Sequence, residues 1–517
     1  MTSAPERFLV LGVGSEAFSH QPFNDRNLTV KPVTPEEAET LFLYARAVIL
    51  SERQGDIAKY KANFHSVLVR AEQQGLPIVV FVNPLDMRQV SDIKNEMERE
   101  RGIGKTIQLY RMDKVMEAAE FVRREFVNPL QRSKPTIDKR KLKEPLKDPE
   151  MEVLLHRAFF DCTRIQLKSL PGGKASDGVY TVQAWCDSWS IGPRPLPFFV
   201  KFGKPESIKR ERENYESHAE LYVPFNLRPN LDRRRCVQGS AYSALVGNFV
   251  EDAIPLREAL KKGVGDGVLF SLFETTLKGF RSQAFAASNT KEASRLDAFL
   301  MKVVTGEHGD KSLKKAPDGP KILELTAAFG TRINTEDLEA RLYEKAKSIP
   351  YWRAPIHGDL HSGNVMIRRG DSILIDFGSV KQGPLTADPA ALDVSLVFGT
   401  DEDDKPGSFE EWKLFVNNAY NCDPRIRPPN PESEPSDLDW LRESIRELRH
   451  VVFGCDCCDA EAEVVLAAYL MRFARLKVEA LPANLQDLAL RRRAYALVVA
   501  DRLVTEVARQ RATMRAK

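Results

Sequence analysis

The stretch 356-IHGDLHSGNVMIRRGDSILIDFGSV-380 holds the residue types best suited to chemistry. An aspartate stands at 359, an asparagine five positions later at 364, and Asp376-Phe377-Gly378 follows a short apolar hairpin. Phosphoryl transfer from Mg-ATP to a hydroxyl requires this set. Asp359 can accept the proton of the attacking hydroxyl and align its oxygen with the γ-phosphate. Asn364 offers a neutral oxygen ligand to Mg2+. Asp376, at the end of a predicted strand over 372–376, can bridge metal and phosphates.

The detail of the stretch resembles the aminoglycoside phosphotransferase and choline kinase-like family, a branch of the protein-kinase-like fold. The likeness lies in His357-Gly358-Asp359-Leu360-His361-x-x-Asn364, where protein kinases have His-Arg-Asp, and in Ile375-Asp376-Phe377-Gly378. The downstream segment 388-DPAALDVSLVF-398 also resembles the family's helix, which packs under the catalytic loop. Within that family the chain is similar to the group described as ternary complex-associated kinase-like domains. The resemblance covers about 150–517 and implies an α+β bilobal protein-kinase-like fold, with ATP and Mg2+ as cofactors. Asp359, Asn364 and Asp376 are then the catalytic residues, with Asn364 and Asp376 as the metal ligands.

Elements upstream should position the nucleotide. The segment 170-LPGGKASDGVYTV-182 places Gly172, Gly173 and Gly178 between two β-like segments. Glycines there let backbone amides approach phosphate oxygens. Lys201 follows in the apolar strand 198-FFVKFG-203, where a lysine needs solvent or a partner. The resemblance implies that Lys201 contacts the α- and β-phosphates and pairs with a helix glutamate. Glu211 fits the family's spacing, with Glu213 as the rival. Lys204 and Lys209 read as solvated charges. The segment 244-ALVGNFVEDA-253 has the apolar strand and acidic turn of a hinge, or Leu245–Phe249 is plain core strand, with Gly247-Asn248 unusual inside it.

Before this, residues 1–128 alternate apolar strands with helical patterns, which predicts an N-terminal α/β parallel sheet of flavodoxin or receiver-like type. Strands are expected at 7–14, 28–33, 47–51, 77–83 and 106–112, and a last helix at 114–126. Receiver chemistry is missing. Ser51 stands where a phosphoacceptor aspartate belongs, Tyr110-Arg111 replaces the usual lysine, and no acidic pair follows the first strand. The domain reads as a degenerate sensor or protein-docking module, or as an unrelated small ligand-binding domain. A linker is expected at 129–150, a small lobe of sheet plus helix at 151–254, and a large helical lobe at 255–517 with the catalytic loop. Two Pro-rich or charged segments, 303–321 and 423–437, read as surface loops.

Composition sets the outer limits. The chain has 517 residues, with 76 Lys+Arg against 73 Asp+Glu, a net charge of +3. That balance gives no case for nucleic-acid binding. No apolar run approaches a membrane span, and residues 1–14 lack the pattern of a secretory signal. Seven cysteines are too few for a disulfide scaffold and read as reduced thiols, so the protein is expected to be cytoplasmic. Cys455, Cys457 and Cys458 fit zinc spacing poorly and read as structural thiols near a helix start. The string 102-GIGKT-106 lacks the P-loop's first glycine and precedes a strand.

The expected activity is ATP/Mg-dependent transfer of the γ-phosphate to a hydroxyl-bearing acceptor, a small molecule favoured over a protein. The alternative is a nucleotide-binding pseudokinase, a regulatory switch in a bacterial-type signalling complex. A protein partner would dock through the N-terminal domain.

Overall fold

The computed structural model describes residues 135–515 apart from 160–161, 171–176, 186–195, 234, 240, 265–266, 287–295, 307–311, 402, 406–407, 421–436 and 479–480. Before 135 it describes five strands, residues 20–25 and 111–125, and single positions between them. The chain divides into two compact units: Met1–Arg210 with Asn230–Glu251, and Glu211–Pro229 with Asp252–Lys517.

The first unit opens with five parallel strands: β1 (Phe8–Val13), β2 (Leu28–Val33), β3 (Ala47–Ser51), β4 (Ile78–Val82) and β5 (Ile107–Arg111). Their order is β2-β1-β3-β4-β5, a doubly wound arrangement. Strands β3 and β4 are buried at every position, which is why they read as unbroken apolar runs rather than alternating ones. Their side chains feed two separate cores. Leu11, Val48, Leu50 and Val80 lie on one side of the sheet. Val10, Ile49, Val79 and Phe81 lie on the other, against Ala118 and Val122 of the helix Val115–Glu125.

A second sheet of six strands follows: β6 (Thr136–Lys141), β7 (Arg164–Ser169), β8 (Gly178–Trp185), β9 (Leu196–Gly203), β10 (Val237–Gln238) and β11 (Ser243–Asn248). Its order is β10-β11-β9-β8-β7-β6. Strand β6 corrects the reading of 129–150 as a linker, since it runs parallel to β7 and extends the sheet. The pin is Asp138, which accepts from Arg140 Nη2 at 2.7 Å, Arg164 Nη2 at 2.8 Å and Gln166 Nε2 at 3.1 Å. Those donors, Arg140 first, hold its carboxyl well below the usual carboxylate range. The run of lysine and proline around it hid a single structural aspartate. The helix Pro149–Ala158, capped by Asp148, packs Met151, Leu154 and Leu155 against this sheet.

Gly247 in β11 has a direct steric cause. A Cβ there would stand 2.5 Å from the Phe199 ring and 2.7 Å from the carbonyl of Asn230. The strand takes a glycine because another chain segment bridges to it at Leu231.

The second unit is mostly helical. The three short strands β12 (Ile254–Pro255), β14 (Val365–Arg368) and β15 (Asp371–Leu374) form one sheet in the order β12-β14-β15. A separate pair joins β13 (Arg353–Ile356) to β16 (Lys381–Pro384). The helices Ala387–Phe398 and Asp459–Ala474 are buried on nearly every face, as apolar-all-round helices must be. The helix Ala483–Arg515 packs along Asp459–Ala474. Among the described residues no helix is long and apolar enough to cross a membrane.

Candidate functional site

The second unit carries the catalytic-type segment between β13 and β16. Strand β13 delivers the buried His357 and Gly358 to the start of a loop. Gly358 adopts φ +77°, where a side chain is strained. A Cβ there would also stand 2.3 Å from the carbonyl oxygen of Ser379. No arginine of the protein-kinase type could occupy this position.

The loop is held by a residue below it. Asp388, in the first turn of the helix Ala387–Phe398, accepts from the amides of His357 at 2.8 Å and Gly358 at 3.1 Å. Burial raises the Asp388 carboxyl above its ordinary range, against the pull of those two amides and of His357. Ser395, two turns further along, receives the amide of Ser362 at 3.1 Å. His361 caps the short turn Ser362–Asn364, its Nδ1 accepting from the Gly363 amide at 3.1 Å. Burial lowers the His361 pKa, while Asp359 opposes the shift.

Asn364 is buried and donates Nδ2 to the Asp359 carbonyl at 3.0 Å, leaving its amide oxygen as an acceptor. Its own carbonyl receives the amide of Ile375 at 2.9 Å. The hairpin β14–β15 thus returns the chain to the loop within ten residues. Its turn is Arg369-Gly370, both at positive φ. Ser372 fixes β15 by donating to the Val268 carbonyl at 2.6 Å. The strand ends at Leu374, not at Asp376 as expected. Asp376 lies beyond it at φ +63°, and its Oδ1 accepts from the Gly378 amide at 3.4 Å. A non-glycine residue in this conformation carries strain of order 1–3 kcal/mol, and such strain clusters at functional sites.

Phe377 fills the space beneath, its ring 5.8 Å from His357 and 5.7 Å from Tyr215. Tyr215 follows the last turn of the helix Pro205–Asn214, and that turn also supplies Glu211 and Asn214. Asn214 Nδ2 donates to the carbonyls of Phe377 at 3.2 Å and Gly378 at 3.3 Å. Glu211 is 6% exposed, with a carboxylate oxygen 3.6 Å from where a Cβ on Gly378 would stand. Glu213 is exposed. The structure brings Asp359, Asn364, Asp376 and Glu211 to one region of the second unit, with Glu211 buried and Glu213 exposed.

The nucleotide-positioning candidates upstream of Glu211 belong to the first unit. Lys201 is half-buried on β9, an interior strand, across from Val179 on β8 and Leu245 on β11. Gly178 opens β8, paired with Phe202. Gly172 and Gly173 lie outside the described residues, as do 102–106 and 423–436. Lys204 and Lys209 are exposed. Cys455 is buried, its thiol donating to the Val451 carbonyl at 3.3 Å, and burial pushes its pKa up to about 11. Cys458 is exposed at the start of the helix Asp459–Ala474.

One contact at the loop had no signal in the motif. Arg472, on the helix Asp459–Ala474, pairs Nη2 with Oδ1 of Asp359 at 2.5 Å and donates Nη1 to the Gly358 carbonyl at 3.3 Å. It stands 113 positions downstream of Asp359, on a helix that is buried at most positions. Only the fold reveals it.

Residues 314–513 match the model of the family Ternary complex associated domain 9, a span that includes Asp359, Asn364, Asp376 and Arg472. No curated protein matches the chain. Among solved structures, the chain is similar to a thermostable mutant of an aminoglycoside phosphotransferase in ternary complex with ADP and hygromycin B. That pair shares 13% identity over 66% of this chain and 93% of the other, with a TM-score of 0.35. A glucosamine kinase in complex with glucosamine, ADP and inorganic phosphate shares 15% identity over 72% and 89%, with a TM-score of 0.31. A choline kinase from Cryptosporidium parvum Iowa II shares 13% over 66% and 90%, also with a TM-score of 0.31.

Proposed function

We propose that the chain is a phosphotransferase of the protein-kinase-like fold that moves the γ-phosphate of ATP to a hydroxyl of a small molecule. The observation that carries this reading is the assembly of Asp359, Asn364 and Asp376 around one loop, with Asp376 held at φ +63°. Asp359 takes the proton of the acceptor hydroxyl and aims its oxygen. Asn364, tied to the Asp359 backbone, fixes the distance between base and metal ligand. Phe377, wedged between His357 and Tyr215, keeps Asp376 in register with the loop.

The donor set fits Mg2+, a hard cation that prefers oxygen. Asp376 would contribute a carboxylate and Asn364 an amide oxygen. Among the described residues no group of three or more His, Cys, Asp or Glu could hold a metal. Two protein ligands completed by phosphate and water oxygens suit a nucleotide-bound Mg2+. Mg-ATP, when bound, supplies the phosphoryl group and spreads its developing charge. The family resemblance assigns the phosphates to Lys201, with Glu211 as its expected partner, and to the glycine segment 172–178.

For residues 1–128 we propose a degenerate receiver-like docking or sensor domain. The strand order supports it. Ser51 at the end of β3 is 1% exposed and bonds to the Met112 sulfur at 3.7 Å, so it is neither an acidic nucleophile nor reachable.

The test is Mg-ATP consumption by the purified chain against a panel of hydroxyl compounds. Asp359→Ala should slow turnover by about 10²–10⁴-fold. Full turnover in that variant would remove the base from the account. The second reading, a nucleotide-binding switch without turnover, draws on the Arg472 pair that engages Asp359. It predicts nucleotide binding with no product from any acceptor.

A further inference from the structure

Asp376 keeps a strained backbone conformation, yet the bonds inside its own turn are long. Its Oδ1 accepts from the Gly378 amide at 3.4 Å. The turn Phe377–Ser379 closes through the Val380 amide, which donates to the Phe377 carbonyl, also at 3.4 Å. Bonds at the far end of the hydrogen-bond range are weak. A strained conformation persists only when its surroundings hold it.

Two side chains from distant elements of the second unit supply that hold. His357 Nε2 donates to the Ile375 carbonyl at 3.0 Å. On the other side of Asp376, Asn214 Nδ2 donates to the carbonyls of Phe377 at 3.2 Å and Gly378 at 3.3 Å. The carbonyls of both residues that flank Asp376 are therefore bound from outside the turn.

The identity of residue 214 carries its own signal. The helix Pro205–Asn214 continues into a π turn at Tyr215–Ala219 and then Glu220–Tyr222, so Asn214 sits inside a continuous helical run. An asparagine amide competes with the backbone there, which disfavours the residue within helices. Single π turns occur often at functional sites. Both groups that face the Asn214 amide are carbonyls, so only its NH2 end fits against them, with one hydrogen for each.

We propose that Asn214 is a positioning residue for the Mg-nucleotide site. By holding the two carbonyls that follow Asp376, it keeps the Asp376 backbone at φ +63° and its carboxylate aimed at the metal. This rests on Asp376 serving as the metal ligand. The action runs through the backbone: with the two carbonyls released, the turn relaxes and the carboxylate leaves its place.

The experiment measures ATP binding to the full chain by titration calorimetry, with and without Mg2+. Wild type should bind ATP more tightly when Mg2+ is present. Asn214→Ala should cut that gain by about 10-fold, the low end of what losing an outer partner of a metal ligand costs. Its affinity for ATP without Mg2+ should match wild type. Asn214→Asp keeps the shape but has no N–H to offer the carbonyls, and it should cut the gain at least as far. A purely structural role would weaken ATP binding alike in both conditions. That outcome, or a wild-type gain in either folded variant, overturns the proposal while the Mg-nucleotide reading stands. Failure of both variants to fold also overturns it, by making Asn214 a residue of the fold. No Mg2+-dependent gain in wild type would overturn the Mg-nucleotide reading, and this proposal with it.

Discussion

The carboxylate of Asp388 accepts the backbone amide of His357 at 2.8 Å from beneath the loop, and its second oxygen reaches the next amide at 3.1 Å. Both donors are buried, and so is the acceptor, with Asp388 5% exposed. A buried donor left without a partner costs about 1–3 kcal/mol. Asp388→Ala orphans both amides and should lower unfolding free energy by at least that much, with turnover falling through the displaced Asp359. Asp388→Asn keeps one acceptor oxygen and should lose less. Urea unfolding of the two variants checks this ordering, and equal losses would show that the second amide contributes nothing.

Gly358 offers a cleaner steric test because the same loop region holds its control. Gly358 and Gly370 both sit at positive φ, but only Gly358 has a backbone carbonyl, that of Ser379, 2.3 Å from a new Cβ. Gly370 meets nothing within 4 Å. Gly370→Ala should cost only the strain of the left-handed conformation, about 1 kcal/mol or a little more. Gly358→Ala must also move the chain and should cost clearly more, with loss of turnover. Matched unfolding midpoints for the two variants would contradict the close approach.

Much of this was legible in the sequence, and the failures have physical causes. The apolar run at 47–51 gave its strand to the residue, because a strand buried on both faces leaves a continuous signal, and 28–33 did so through its buried Leu28, Val30 and Val33. The spacing from Asp359 to Asn364 to Asp376 pointed to one loop and hairpin, since all three are local. Strand β6 was hidden because it is an edge strand whose burial pattern is mostly exposed, and charged residues with prolines imitate a linker there. Arg472 was hidden for a different reason. Nothing in a helix of buried apolar residues marks which arginine reaches a loop more than a hundred residues earlier. Contacts between distant segments are set by packing, and no local period encodes them.

His361 supplies a pH dependence. Burial lowers its pKa from the ordinary 6.5, so the neutral imidazole is the folded form, consistent with Nδ1 accepting from Gly363. The unfolded chain takes up a proton near pH 6.5, before the folded one does. Stability from this group is therefore present above that pH and is lost progressively as the pH falls from there through the lower folded pKa. His361→Asn keeps a capping acceptor that does not titrate. The drop in melting temperature between pH 7.5 and pH 5.5 should be smaller in that variant than in wild type. An identical drop would place the acid sensitivity elsewhere.

The central claim is a Mg-nucleotide site built on Asp376, and thermal unfolding with ATP tests it most directly, with and without Mg2+, in wild type and Asp376→Asn. Ligand at about 100 times its dissociation constant adds roughly 2.7 kcal/mol of stability, which raises the unfolding temperature measurably even in a chain of this size. The account predicts a Mg2+-dependent rise in wild type that is lost in Asp376→Asn. No rise in wild type with either addition, or an equal rise in the variant, would contradict it.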